Sequence, residues 1–395
     1  MFALAYAAST NRRAIRWRPV AVAWIGQWML GLVLLGSETG RRALESAASF
    51  VQGVLDHAFA GSAFVFGDLG AKGGGDSGLG VVFAFQVLPT IVFVASLFGV
   101  LYHVGIMQRI VALLARLFMG AFGISGAEAL SVAASIFMGQ TEAPLTIRPY
   151  LDRLTESELF TVMVAGMASV SGAILGAYVL IGGVEMSHLL TAVAMTAPAS
   201  VAMAKIVVPE TDRPMSADTA ALGDLPKAQN VLDAASRGAS DGLKLAVNVG
   251  AMLVAFIALV SLCNAAFGVV DVGGEPLRLE RILGWLFSPL ALAMGVPWQD
   301  VPEVAQVLGT RTVLNELLAY AQLHDLAGAI GSRAQAIATI AICGFAGIAS
   351  IGIQIGGLGA IVPGRKDDIA RLGVRALVAA TLANFSSACV AGVVL

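Results

Sequence analysis

The chain has 395 residues, is 57% hydrophobic and only 13% charged, and carries a net charge of −2 with a mean hydropathy of +0.83. Soluble domains carry roughly 25% charged residues, so this composition excludes an ordinary soluble enzyme and reads as an all-α polytopic membrane protein. The near-neutral balance offers no basic field for nucleic acid. Cys263, Cys343 and Cys389 stand apart in apolar surroundings, and four dispersed histidines include no HExxH, so the thiols read as buried and structural.

In chain order, residues 2–8 are apolar but short of the roughly 20 residues a crossing needs, so the first helix reads as truncated. Asn11-Arg12-Arg13, with Arg16 and Arg18, should face the cytoplasm by the positive-inside rule. A span over about 20–36 follows, and the mixed stretch 41–60 (Arg41, Arg42, Glu45, Asp56, His57) reads as an interfacial amphipathic helix. Gly70–Gly80 reads as a flexible loop and lacks the GK[ST] of a phosphate loop. Residues 81–103 span again with a kink at Pro89, and Arg109 and Arg116 mark the inner face.

The stretch Gly139-Gln140-Thr141-Glu142-Ala143-Pro144-Leu145-Thr146-Ile147-Arg148-Pro149-Tyr150 breaks the apolar pattern with a carboxylate, a guanidinium and two prolines. Irregular backbone at membrane depth must be buried in protein or line an aqueous cavity, and an ionisable residue there is a functional-site candidate. Residues 123–155 are therefore expected to form a re-entrant hairpin of two half-helices with this motif at its tip. A span at 159–184 is interrupted at Gly166–Gly172, about 187–207 returns inward, and 209–241 is a hydrophilic loop with Pro209, Pro214, Pro226, Lys227, Asp233 and Arg237. A long apolar helix over about 243–269 follows. Residues 278–325 repeat the hairpin logic, Trp285–Val296 leading into a polar stretch with Gly309, Thr310, Arg311, Thr312, Asn315 and Glu316. A second interrupted span covers 334–358, broken at Gly344–Ser350, and Arg365-Lys366-Asp367-Asp368 with Arg371 precedes a last span at about 374–395.

The two halves correspond. Gly139 and Gly166 are 27 residues apart, Gly309 and Gly344 35 apart, and each half is a polar hairpin followed by a Gly-interrupted helix. With both basic clusters inside, the first hairpin enters from the cytoplasm and the second from outside, which is inverted topology. Such paired, interrupted segments point to the binding site of a secondary transporter. The expected organisation is about eight transmembrane helices plus two re-entrant helical hairpins. It divides into N-terminal helices and scaffold (1–110), a first transport repeat (111–208), a cytoplasmic loop (209–242), a long scaffold helix (243–277) and a second transport repeat (278–395).

At the tips, Gln140 offers an amide donor and acceptor suited to a heterocycle edge. Glu142 and Glu316 accept when ionised and donate when protonated, so they suit hydroxyl or ring N–H groups, and either could carry a coupling proton. Neither supplies a ligand set for a divalent metal. The alternatives are structural: Arg148 and Arg311 could pair with the two glutamates, and Ser135, Ser169 and Ser350 could each bond the i−4 carbonyl of their own helix. Gly238-Ala239-Ser240-Asp241-Gly242 matches GxSxG, but no strand precedes it and no triad partners follow, so hydrolase chemistry is excluded and no enzyme is expected.

The Gly139–Leu145 motif with Ile147-Arg148-Pro149 strongly resembles the first re-entrant hairpin of the concentrative nucleoside transporters. Phe83–Thr90, Asn248–Leu253, Leu283–Phe287, Gly295–Trp298, Asn315-Glu316 and Cys343–Ala346 extend the likeness along nearly the whole chain in the right order. The resemblance implies a homotrimer in the inner (cytoplasmic) membrane, each protomer pairing a scaffold with a transport body that moves as an elevator. It implies nucleoside import driven by protons or sodium, with no cofactor. An alternative is a nucleoside-binding membrane protein or pore of the same fold with altered sugar selectivity. Carried over by position, Gln140, Thr141 and Glu142 would face the base with Ile174 nearby, and Glu316, Phe345 and Ser350 the ribose. The family's sodium site would fall on Ser135, Met138, Ser169 and Val170. Sodium-coupled members have Asn where this chain has Ser135, so the coupling ion is expected to be H+ rather than Na+, carried by Glu142 or Glu316. The family's usual Asn three residues before Ser350 is Gly347 here, which removes a sugar contact.

Overall fold

A backbone in hydrocarbon must satisfy its own hydrogen bonds, and the apolar runs of this chain do so as helices. The computed structural model describes residues 1–77, 82–214, 228–272, 274 and 276–395. Residues 78–80 of the expected glycine loop and 215–227 of the expected hydrophilic loop, with Pro226 and Lys227, lie outside the described residues.

The first half contains α1 (Phe2–Ala7), α2 (Trp17–Gly31), α3 (Glu38–Asp56), α4 (Ala58–Phe66), α5 (Phe83–His103), α6 (Ile106–Phe122), α7 (Gly126–Ser135), α8 (Glu156–Ala168), α9 (Gly172–Gly182) and α10 (Met186–Val207). The second contains α11 (Val231–Phe267), α12 (Leu279–Ala293), α13 (Val301–Val313), α14 (Glu316–Asp325), α15 (Ser332–Ile342), α16 (Ala349–Ile361) and α17 (Lys366–Val394). Among the described residues, six segments are long and apolar enough to cross a membrane: Trp17–Gly36, Phe83–His103, Glu156–Gly182, Met186–Val207, Val231–Phe267 and Pro363–Val394. The expected span at 334–358 is not among them, because residues 343–348 separate α15 from α16 and leave each half short of a crossing.

Several boundaries differ from the sequence reading for local reasons. Helix α6 was not expected. It buries Met107, Val111, Ala115, Phe118 and Phe122 on one face, while Arg109 and Arg116 lie on its exposed side. Helix α11 begins at Val231 rather than near 243, because Asn230 caps it by accepting from the Asp233 N–H at 2.9 Å. Asp233 and Arg237 are thus an i,i+4 ion pair on its first turns, 2.9 Å apart, rather than loop residues. Pro144 and Pro149 remove amide donors, so the second arm of the first hairpin is a 3-10 segment, Ala143–Arg153, rather than an α-helix. In the second hairpin the bend falls between α13 and α14, and α12 is a separate helix packed along α13. Part of the glycine stretch is ordered: Lys72 ties it to the end of α3 through Asp56 at 2.8 Å. Cys263 is exposed on the outer side of α11, whereas Cys343 is buried.

The serine-hydrolase look-alike lies inside α11, where its two glycines serve packing. A Cβ on Gly238 would sit 2.5 Å from the Ala95 carbonyl oxygen, and one on Gly242 2.9 Å from Val92 Cα. Small residues four apart let α5 and α11 approach backbone to backbone.

Buried residues form two clusters. One joins the first hairpin and α8 to the second half of α10 and the first half of α17. The other joins α9, α13, α14 and α15 to the opposite halves of α10 and α17. The hairpins stand at opposite ends of α17. At its start, Arg365 donates to the Leu154 carbonyl at 2.7 Å and Arg371 pairs with Glu156 at 2.8 Å. At its far end, the Gly392 carbonyl accepts from Arg333 at 2.5 Å, while Gly331, two residues earlier, donates to Asp300 at 3.3 Å. In α2, Gln27 exchanges 3.0 Å hydrogen bonds with Ser386 and Ser387 of α17.

The clusters meet where the two interrupted helices cross. The Phe345 N–H donates to the Ser169 carbonyl at 3.1 Å, so each break caps the other. Asn384, wholly buried in α17, donates to the Ala168 carbonyl at 2.8 Å and the Cys343 carbonyl at 3.1 Å. Its amide oxygen accepts from Arg311 of α13, which also donates to Thr381 at 3.2 Å.

Two outcomes follow from this packing. Gly242→Val should force α5 and α11 apart at a cost of about 1–3 kcal/mol, seen as a lower melting temperature in detergent. Asn384→Leu leaves the Ala168 and Cys343 carbonyls without their donor and removes one of the two Arg311 partners, each orphaned buried group costing about 1–3 kcal/mol. The same melt should then show a larger loss than for Gly242→Val, and a wild-type melting temperature in Asn384→Leu would refute the bracing role.

Candidate transport site

The first hairpin starts with a capping box: the Ser125 hydroxyl accepts from the Glu128 N–H and the Glu128 carboxylate from the Ser125 N–H. Helix α7 stops after Ser135, and the chain turns through 136–142. The Glu142 carboxylate closes this tip by accepting from the Gly139 N–H at 3.2 Å. Gln140 reaches across the molecule and donates to the Ser350 hydroxyl at 3.2 Å. Ser350 in turn donates to the Phe345 carbonyl. A tip residue of the first hairpin and two residues of the second interrupted helix therefore meet, although 210 positions separate Gln140 from Ser350. Thr141 lies over Gly357 of α16, where a Cβ would come within 2.3 Å of its methyl carbon. Ile174 is buried in α9.

The second tip is built by Asn315, whose side chain accepts from the Leu318 N–H at 2.9 Å and opens α14. Glu316 is therefore the first residue of that helix, held at the positive end of its dipole. It is 8% exposed. Tyr178, Tyr320, Arg311 and Cys343 surround it. Among the described residues neither Glu142 nor Glu316 has an arginine within ion-pair distance. Arg148 is exposed, and Arg311 hydrogen-bonds Thr381 and Asn384 instead. The simple ion-pair alternative thus does not hold for either glutamate.

The i−4 alternative holds for Ser135, whose hydroxyl donates to the Ser131 carbonyl at 2.9 Å; Ser169 donates instead to the Gly166 carbonyl, three residues back, at 3.3 Å, and Ser350 to the Phe345 carbonyl, five back. Met138 and Val170 are buried beside Ser135 and Ser169. Among the described residues no group of three His, Cys, Asp or Glu side chains could hold a metal ion.

Glu142 faces a cavity of about 910 Å³ between the first tip, α5, the start of α9 and α11. Phe98, Tyr102 and Met138 supply apolar and aromatic walls, and Ser171, Asp241 and Lys244 supply polar groups. This volume and mixed lining suit a small polar aromatic ligand. The sequence reading missed the α11 contribution, because a loop was expected there. It also missed Asn384, although an amide in the middle of an apolar span is a legible sign of a hydrogen bond between helices.

Comparison with known proteins identifies the family. The family model described as "Na+ dependent nucleoside transporter C-terminus" matches residues 188–392, its N-terminal counterpart residues 1–69, and one described as "Nucleoside recognition" residues 84–185. The nucleoside permease NupC of Helicobacter pylori is 40% identical over 401 residues, covering 99% of this chain and 95% of that protein. The uncharacterized transporter YutK of Bacillus subtilis is 40% identical over 397 residues, covering 99% and 96%. A solved structure of CNTnw in an inward-facing substrate-bound state superposes with a TM-score of 0.93 at 42% identity, covering 99% of this chain and 94% of that one. The chain belongs to the concentrative nucleoside transporter family, a family of membrane transporters rather than enzymes.

Proposed function

We propose that this protein is a secondary active transporter that imports nucleosides by proton symport through an elevator motion. The observation that carries the reading is the Gln140–Ser350 hydrogen bond at the crossing of the two helix breaks. It joins the tip of one repeat to the interrupted helix of the other, two residues along the chain from Glu142, which lines the cavity. In this reading Gln140, Thr141, Glu142 and Ile174 recognise the base, and Glu316, Phe345 and Ser350 the ribose.

The two hairpins are re-entrant and inverted; their feet at opposite ends of α17 support this. The transport body comprises 111–208 and 278–395, and 1–110 with α11 forms the scaffold. A homotrimer in the cytoplasmic membrane is the proposed assembly. The apolar outer face of α11, with Leu243, Val247, Val254, Leu259 and Leu262 exposed, supports a partner or lipid on that side.

Proton coupling is favoured over sodium because Ser135 replaces an asparagine ligand and its hydroxyl is engaged with Ser131. A hard cation needs several oxygen ligands, and Ser135, Met138, Ser169 and Val170 offer a thinner set. Glu142 or Glu316 then carries the proton.

In proteoliposomes, radiolabelled uridine or adenosine should accumulate under an inward proton gradient without sodium, and a protonophore should abolish it. Accumulation that survives the protonophore but requires sodium would overturn proton coupling, and no accumulation of either nucleoside would overturn transport. Glu316→Gln should reduce uptake at least tenfold, the order expected when a buried polar contact is left unmatched, while its size-exclusion profile stays that of the wild type.

A further inference from the structure

Tyr178 of α9 is wholly buried and lies against Tyr320 of α14, their rings stacked with centroids 4.4 Å apart. Glu316 is one helical turn before Tyr320, so both occupy the face of α14 that Tyr178 covers. The Tyr320 hydroxyl donates to the Thr339 carbonyl at 3.0 Å. Arg311 is engaged by Thr381 and Asn384, and Cys343 is a buried thiol on the Tyr320 side. The Tyr178 hydroxyl differs from all of these. It interacts with the Glu316 carboxylate, yet neither that contact nor any other among the described residues reaches ordinary hydrogen-bond geometry.

A buried phenol without a partner carries a desolvation cost that phenylalanine, with the same stacking, would not. The sugar side of the site is otherwise short of donors. Gly347 brings no side chain, and the atoms nearest a Cβ there are backbone oxygens, Arg311 O at 3.2 Å and Leu314 O at 3.6 Å. An ionised carboxylate only accepts, a phenol donates, and a sugar hydroxyl does both.

We propose that Tyr178 is a second sugar-recognition residue: its hydroxyl and the Glu316 carboxylate take one ribose hydroxyl between them, as donor and acceptor. This rests on the reading that Glu316 faces the ribose. The pairing explains how a site with glycine at 347 still discriminates sugars, and it makes Tyr178 a determinant of ribose against deoxyribose.

The test is calorimetric binding of uridine, 2′-deoxyuridine and 3′-deoxyuridine to the purified full-length protein and its variants. The wild type should bind uridine more tightly than at least one deoxy analogue. In Tyr178→Phe, uridine binding should weaken about three- to tenfold, while the disfavoured analogue binds as before, so that discrimination narrows. Equal weakening of all three ligands, or unchanged discrimination, would overturn the proposal and leave Tyr178 a packing residue. Glu316→Gln serves as the separate control. If it discriminates as the wild type does, the ribose role of Glu316 fails, and the Tyr178 proposal fails with it. If only Glu316→Gln narrows discrimination, the ribose role stands and the Tyr178 proposal alone is lost. A wild type that binds none of the three would remove the nucleoside reading and the proposal together.

Discussion

A helix that breaks inside a membrane frees carbonyls and amides, and only the protein can satisfy them there. This protein breaks two helices, between α8 and α9 and between α15 and α16, and crosses them. The Phe345 N–H is satisfied by the Ser169 carbonyl, and the Asn384 amide takes the carbonyls of Ala168 and Cys343. Arg311 then fixes Asn384 from the other side. One amide in α17 thus holds both breaks and one arm of the second hairpin. The rest of the site inherits its geometry from this junction.

The junction sets distances as well as orientations. A Cβ at Gly344 would lie 2.4 Å from the Ala168 carbonyl oxygen and 2.6 Å from the Asn384 amide oxygen, so the crossing closes only with glycine there. Close approach brings Ser350 within reach of Gln140, and Tyr178 against Tyr320 and Glu316. Polar groups from both repeats therefore converge on a common centre, and each of the two aliphatic clusters draws on helices of both repeats.

Charge is placed with the same economy. Lys205 is buried with Glu128 as an ion pair, its ammonium also donates to Ser157 at 3.0 Å, and Glu210 stands 3.9 Å away. This cluster ties the foot of the first hairpin to the ends of α8 and α10, at the end of the molecule where Arg365 and Arg371 anchor the start of α17. The first tip is closed by its own turn, the Glu142 and Ala143 N–H groups donating to the Gly139 carbonyl at 3.1 and 3.0 Å and the Gly139 N–H to the Glu142 carboxylate at 3.2 Å.

Much of this was legible in the sequence, for physical reasons that can be named. Length and apolarity fix which segments become membrane helices, because hydrocarbon allows few alternatives. Glycine and polar residues inside the runs at 166–172 and 344–350 mark the breaks, and the motif Gly139–Leu145 marks the first tip. Local capping was less legible. Asn230 starts α11 a dozen residues early, and two prolines turn the second arm of the first hairpin into a 3-10 segment, since side chain–backbone contacts outweigh mean hydropathy at helix ends. What only the tertiary structure decided are the pairings between distant residues. Gln140 with Ser350, Tyr178 with Tyr320, and Asn384 with two carbonyls and Arg311 depend on which helices cross and how closely. Sequence alone determined that polar groups would interrupt the apolar helices, because glycines and polar residues stand inside the apolar runs; the crossing decided which of them would meet.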